Sequence, residues 1–184
     1  MSSSMFSTVS RLRTGYAPAD VDELFDRARR EYEGSASTGL DAASIHRAAF
    51  GFTRGGYAFA EVDAALDRLE SAFVAKERTE YVAQNGQQAW MALLAERART
   101  LYGRLSRPAG EKFAPGSRGH WSYDADDVDA LCARLVSYFD RGEPITSTEV
   151  REAKFRRRRG RDGYAEAPVD AFLTRAIEVL LGVE

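Results

Sequence analysis

A chain of 184 residues, 44% hydrophobic and 29% charged, has the composition of an ordinary folded protein with length enough to bury one core. A formal net charge of −2 excludes wholesale electrostatic capture by nucleic acid, and no apolar run approaches the roughly 20 residues that cross a bilayer. The single cysteine, Cys132, excludes an internal disulfide scaffold, and the opening MSSSMFSTVSRLR lacks a secretory apolar stretch, so a reducing cytoplasm is the expected setting.

The first element predicted along the chain follows Gly15-Tyr16. Apolar residues at Val21, Leu24, Phe25 and Ala28 recur at helical spacing, which predicts an amphipathic helix near 18–33. With Ala17 as N-cap, Tyr16 and Val21 stand at the two positions that touch in a hydrophobic staple, and Pro18 suits the first helical turn. The stretch LDAASIHRA then gives a cap, Asp41, and a short helix carrying Ile45. A second long helix, near 59–82, follows Gly56-Tyr57, with Val62, Ala65, Leu66 and Leu69 as its stripe.

After the break at Asn85-Gly86, Trp90, Leu93, Leu94, Leu101 and Leu105 predict a middle helix over about 87–106, and SRPAGEKFAPGSRGH predicts a loop. A third copy of the entry motif, Tyr123 with Val128, leads a helix near 125–140 capped by Asp124. ITSTEVREA repeats the short capped helix, with Thr146 and Glu149 as a capping box. The fourth copy, Gly163-Tyr164 with Val169, leads a helix near 166–181. No strand pattern of convincing length appears.

The four tyrosines lie at 16, 57, 123 and 164, so each pair is 41 positions apart and the pairs are displaced by 107. The predicted fold is therefore all-α, a compact bundle of about five long helices and two short ones built from four loop-helix units as a duplicated pair. Residues 1–184 read as one domain, with halves 1–80 and 108–184 joined by the middle helix. The glycines at 15, 56 and 163 let the chain bend before the tyrosine, and Ser122 stands there in the third copy.

Each valine is followed by an acid: Asp22, Asp63, Asp129 and Asp170. A carboxylate in the first turns complements the helix dipole or braces the preceding loop, and a partner-binding role is the other reading. Lys154, Arg156, Arg157, Arg158, Arg159 and Arg161 concentrate positive charge in one short stretch, either a solvated turn or a contact with an anionic surface. Phe155 is the only aromatic among them, which speaks against nucleic acid. Trp90, Phe6, Phe50, Phe52, Phe113 and Phe155 read as core, and Cys132, on a core stripe, reads as an inert small hydrophobe. His46 and His120 stand alone, and no metal, phosphate-loop or nucleophile constellation accompanies them, so neither catalysis nor a cofactor is expected.

A short capped helix, a phenylalanine, a loop ending in Gly-Tyr and then x4-Val-Asp-x-[FL]-[FL] resembles the N-terminal domain of the bacterial DivIVA family. The doubled pair around LYGRLSRPAGEKF resembles the DivIVA-domain repeat proteins of actinobacteria over nearly the whole chain. That resemblance implies a non-enzymatic cytoplasmic protein of cell division or polar growth that binds other proteins and the inner face of the membrane. Two departures stand out. No heptad tract for a polymerising coiled coil follows any copy, and four units within one chain satisfy what a dimer of the parent domain would satisfy between chains, so a monomer is the expected state. The family's membrane-inserting phenylalanine and arginine are replaced by Arg13-Thr14, Arg54-Gly55, His120-Trp121 and Arg161-Asp162, leaving Trp121 as the one apolar wedge. The expected function is an interaction adaptor with an optional peripheral membrane contact; the alternative is an anion-binding module for lipid headgroups or nucleic acid, using residues 154–161.

Overall fold

The computed structural model describes residues 4–184. Helices account for 60% of the described residues, with seven α-helices among them. Five are long: α1 (Pro18–Tyr32), α3 (Phe59–Asn85), α4 (Gln87–Leu105), α5 (Ala125–Arg141) and α7 (Glu166–Val183). Two are single turns, α2 (Ala42–His46) and α6 (Ser147–Arg151). The chain divides into two compact units, Met1–Glu80 and Tyr81–Glu184.

The prediction of an all-α fold needs correction. Among the described residues there are five strands of two or three residues: β1 (Thr14–Tyr16), β2 (Phe52–Arg54), β3 (Trp121–Tyr123), β4 (Arg157–Arg159) and β5 (Tyr164–Ala165). They escape a periodicity search because two or three residues cannot show an alternation. In the first unit, β1 pairs antiparallel with β2, and Tyr16 also bridges to Tyr57, which in turn bridges to Thr8. In the second, β3 pairs with β4 and β5, and Tyr164 bridges to Pro115. The tyrosines of paired motif copies thus face each other across a ladder, Tyr16 to Tyr57 and Tyr123 to Tyr164.

That pairing gives the motif glycines a role different from a bend. A β-carbon on Gly15 would run into the Tyr57 carbonyl and lie 2.7 Å from the Gly56 backbone, and one on Gly56 would run into the Tyr16 carbonyl. One on Gly163 would meet the Tyr123 carbonyl. The glycines are needed for close approach of two backbones. The β-carbon of Ser122 lies beside Gly116, where an added β-carbon would come within 2.7 Å of it, so a glycine sits opposite the one motif position that carries a side chain.

The helical stripes do what their spacing predicts. Val21, Tyr57 and Val62 form a buried cluster with Phe6, Tyr16, Phe25 and Phe50 against it, and Ala28, Leu40, Ile45 and Phe73 form another. In the second unit a larger cluster runs from Leu101 and Leu105 through Val128, Leu131 and Leu135 to Val169 and Leu180, with Cys132 inside it. Trp90 is fully buried and its Nε1 donates to the Gly182 carbonyl at 3.0 Å. Each buried Val, Leu or Ile contributes roughly 1.5 to 3 kcal/mol, enough to hold helices that would not form alone.

Candidate functional site

The two units use the same frame, and the correspondence is carried by hydrogen bonds. Ala58 N donates to Ser7 O as Ala165 N donates to Ala114 O, and Gly55 N donates to Arg13 O as Gly160 N donates to His120 O. Phe6 meets Tyr57 edge-on at 5.4 Å, and Phe113 meets Tyr164 edge-on at 5.3 Å. Helix entry follows the predicted caps. Ala17 and Ala165 make no side-chain cap bond, whereas Asp124 accepts from the amides of Asp126 and Asp127.

The repeated aspartates bond to tyrosines, and they do so crosswise. The Tyr57 hydroxyl donates to Asp22 at 3.0 Å, and the Tyr16 hydroxyl to Asp63 at 3.0 Å. The Tyr164 hydroxyl lies 3.1 Å from both oxygens of Asp129, and Tyr123 is bonded to Asp170. Each acid therefore holds the tyrosine of the paired copy. Burial and the adjacent carboxylate push Tyr123 up to about 12, and burial does the same for Tyr164. Burial also raises Asp170 above its ordinary value. Asp129 in addition accepts from the Gly110 amide at 2.7 Å, so one of the four also braces a preceding loop. The valines Val21, Val62, Val128 and Val169 are all fully buried beneath these pairs.

The arginine run is a strand tied to acids. Arg156 forks onto Asp127, with Nη2 to Oδ1 at 2.8 Å and Nε to Oδ2 at 3.0 Å, and its amide donates to the same carboxylate at 2.8 Å. Arg158 Nε reaches Asp124 at 2.5 Å, and Arg157 pairs with Glu166 at 3.5 Å. The Arg156 guanidinium holds Asp127 down at about 2. Burial works against ionisation of Asp124, but its bonds to Arg158 and to the Asp127 amide outweigh that, and its carboxyl is lowered. Arg159 lies over the Trp121 ring, 4.4 Å from its centroid, so the one predicted wedge is half covered by its own neighbour.

No protein-family model, curated protein or solved structure matches the chain.

The first unit places different residues on the same frame. Where Arg157 and Glu166 pair in the second unit, Phe52 and Phe59 meet at 5.8 Å, and Phe52 lies face to face with Tyr16 at 5.8 Å. Phe52 is 69% exposed and Phe59 38% exposed. Sequence reasoning put Phe52 in the core; the strand turns its side chain outward. Leu12, at the turn before β1, is 90% exposed between Arg11 and Arg13. No sequence signal marked Phe52 or Leu12 as exposed, because an apolar side chain outside a stripe carries no information on its exposure. Among the described residues no group of three or more His, Cys, Asp or Glu side chains is placed to hold a metal ion. Burial pushes the Cys132 thiol up to about 12, which leaves it protonated and unreactive at neutral pH.

Proposed function

We propose that the chain is a non-catalytic interaction adaptor, as its resemblance to DivIVA-domain repeat proteins implies, acting in cell division or envelope growth. In this reading its four motif copies are a duplicated pair, it works as a monomer inside the cell, and the aromatic patch of Tyr16, Phe52 and Phe59 meets a protein partner. The observation that carries the reading is the exposure of Phe52 and Phe59 at a position where the other unit has an ion pair. Large aromatics left in water beside a shared structural frame are the usual anchors of an interface.

The test copies one unit onto the other. Phe52→Arg with Phe59→Glu installs the charges of Arg157 and Glu166. A photo-crosslinking residue at position 54 in the native host is expected to trap a protein with the wild-type patch and to lose it in the double variant, with the melting temperature held. A variant that traps the same protein would overturn the reading.

Peripheral membrane contact is the second reading, favoured by Leu12 between two arginines. No helix among the described residues is long and apolar enough to cross a membrane, so any contact would be from the surface. Vesicles containing phosphatidylglycerol should sediment the wild type more than Leu12→Ser. The arginine run is the weaker contributor, since Asp124, Asp127 and Glu166 already neutralise Arg156, Arg157 and Arg158.

A further inference from the structure

The first unit has a cleft of about 360 Å³ beside the start of α1, floored by Leu24, Leu40 and Phe50 and edged by Asp20, Glu23 and Arg27. Its counterpart in the second unit can be read from the shared hydrogen bonds. Ala17 N donates to Gly51 O at 2.8 Å as Asp124 N donates to Arg156 O at 2.8 Å, so Gly51 stands where Arg156 stands. Gly51 N donates to Asp20 at 2.8 Å as Arg156 N donates to Asp127 at 2.8 Å, so Asp20 stands where Asp127 stands. The phenylalanine before each is retained: Phe50 meets Tyr16 at 5.2 Å, and Phe155 meets Tyr123 at 5.1 Å.

What the first unit lacks is the guanidinium. Arg156 fills the fork of Asp127 in the second unit, whereas glycine at 51 leaves the Asp20 carboxylate, facing the cleft, with the backbone bond alone among the described residues. A second closure is missing as well. Arg134 pairs with Glu149 at 2.9 Å across the second unit, but the corresponding residues are Arg27 and Ser44, which cannot pair in that way. Both links that the second unit makes at this place are therefore missing beside the cleft.

We propose that this cleft docks an arginine side chain of a protein partner, with the guanidinium on Asp20 in the manner of Arg156 on Asp127 and the flanking apolar residues over Leu24 and Leu40. The two acids at the rim outnumber Arg27, so the edge attracts a cation. The planar fork distinguishes arginine from lysine, because only a guanidinium reproduces a two-point contact with one carboxylate. This inference rests on the adaptor reading but uses different residues from the Phe52 and Phe59 patch.

The experiment is an amide NMR titration of the whole chain with the capped tripeptide acetyl-Leu-Arg-Leu-amide, followed at the Gly51, Leu40 and Ser44 signals. The expected result is a weak, saturable shift of all three, with affinity reduced about tenfold when citrulline or lysine replaces arginine. Asp20→Asn, which keeps an acceptor for the Gly51 amide, should lose the response. Gly51→Arg should also abolish it, by supplying the guanidinium from within. A β-carbon at Gly51 meets only the movable Asp20 carboxylate at 3.0 Å and the Ala17 methyl at 3.7 Å, so the chain can accept it. No saturable shift in the wild type, equal binding of the citrulline or lysine peptide, or full binding by Asp20→Asn would overturn the proposal. Phe52→Arg with Phe59→Glu should leave the titration unchanged, so this cleft and the aromatic patch can fail separately.

Discussion

The first and second units hold the same tyrosines, aspartates and buried valines in the same crossed pattern, yet finish their strand ends with opposite chemistry. In the second, Asp124, Asp127 and Glu166 take Arg158, Arg156 and Arg157. In the first the matching positions hold Ala17 with Thr53, Asp20 with Gly51, and Phe59 with Phe52. One frame closes on itself through ion pairs and the other leaves aromatic rings and an acid exposed. Structure needs the frame in both; only the first leaves its strand ends without ion pairs across these positions.

The largest test of that comparison is at the frame itself. Gly15→Ala places a methyl group against the Tyr57 carbonyl and should cost about 3 kcal/mol in thermal or urea unfolding, as overpacking at a fixed backbone does. The equivalent position in the second unit should behave oppositely. Ser122 is fully buried, its hydroxyl has no hydrogen-bond partner among the described residues, and its β-carbon already has room beside Gly116. Ser122→Ala should therefore hold or raise stability by about 1 kcal/mol, since an unmet buried hydroxyl is removed without a cavity. Equal losses at both sites would break the claim that the glycines serve close backbone approach.

How much of this was legible in the sequence depends on range. Stripes such as Val21, Leu24 and Ala28 announce helices because every partner lies within two turns, and Thr146 with Glu149 announces its own cap. The crossed bonds join residues 35 or 47 positions apart, so Asp22 gives no hint that its partner is Tyr57. The arginine run was visible as charge, but its partners Asp124 and Asp127 are 34 and 29 positions away, and only pairing of β3 with β4 brings them together. Phe52 shows the converse failure. It looks like core by residue type, and a three-residue strand sets its direction.

A middle-sized test exchanges the caps. Asp124→Ala removes the acceptor for the amides of Asp126 and Asp127 together with the partner of Arg158, and should lower Tm by about 5 °C. Ala17→Asp adds a capping side chain to α1, which has none, and should stabilise by about 0.5 to 1 kcal/mol. If the added aspartate were neutral, the two helix entries would not be equivalent in geometry.

The smallest effect, and the one that separates the units by mechanism, is their response to acid and salt. In the first unit Glu31 and Asp41 are lowered chiefly by the hydroxyls of Thr38 and Ser44; in the second, Asp127 is lowered to about 2 chiefly by Arg156. A carboxylate with a depressed native value stabilises above its unfolded value and loses that contribution as pH falls through the native one. For Asp127 the window runs from its ordinary 3.8 down to about 2. Asp170 is raised by burial and has the opposite sign, gaining stability as it protonates, but it does so above 3.8 and so outside this window. Hydroxyl bonds to a carboxylate resist screening, whereas a half-exposed ion pair weakens with salt. Melting curves from about pH 5 to pH 2 should therefore show an acid-induced loss that shrinks in Asp127→Asn and in about 1 M salt, the variant and wild type converging at the acid end. Parallel curves for the two proteins would mean that the Arg156 fork contributes nothing to the second unit, and the contrast with the empty fork at Asp20 would lose its energetic basis.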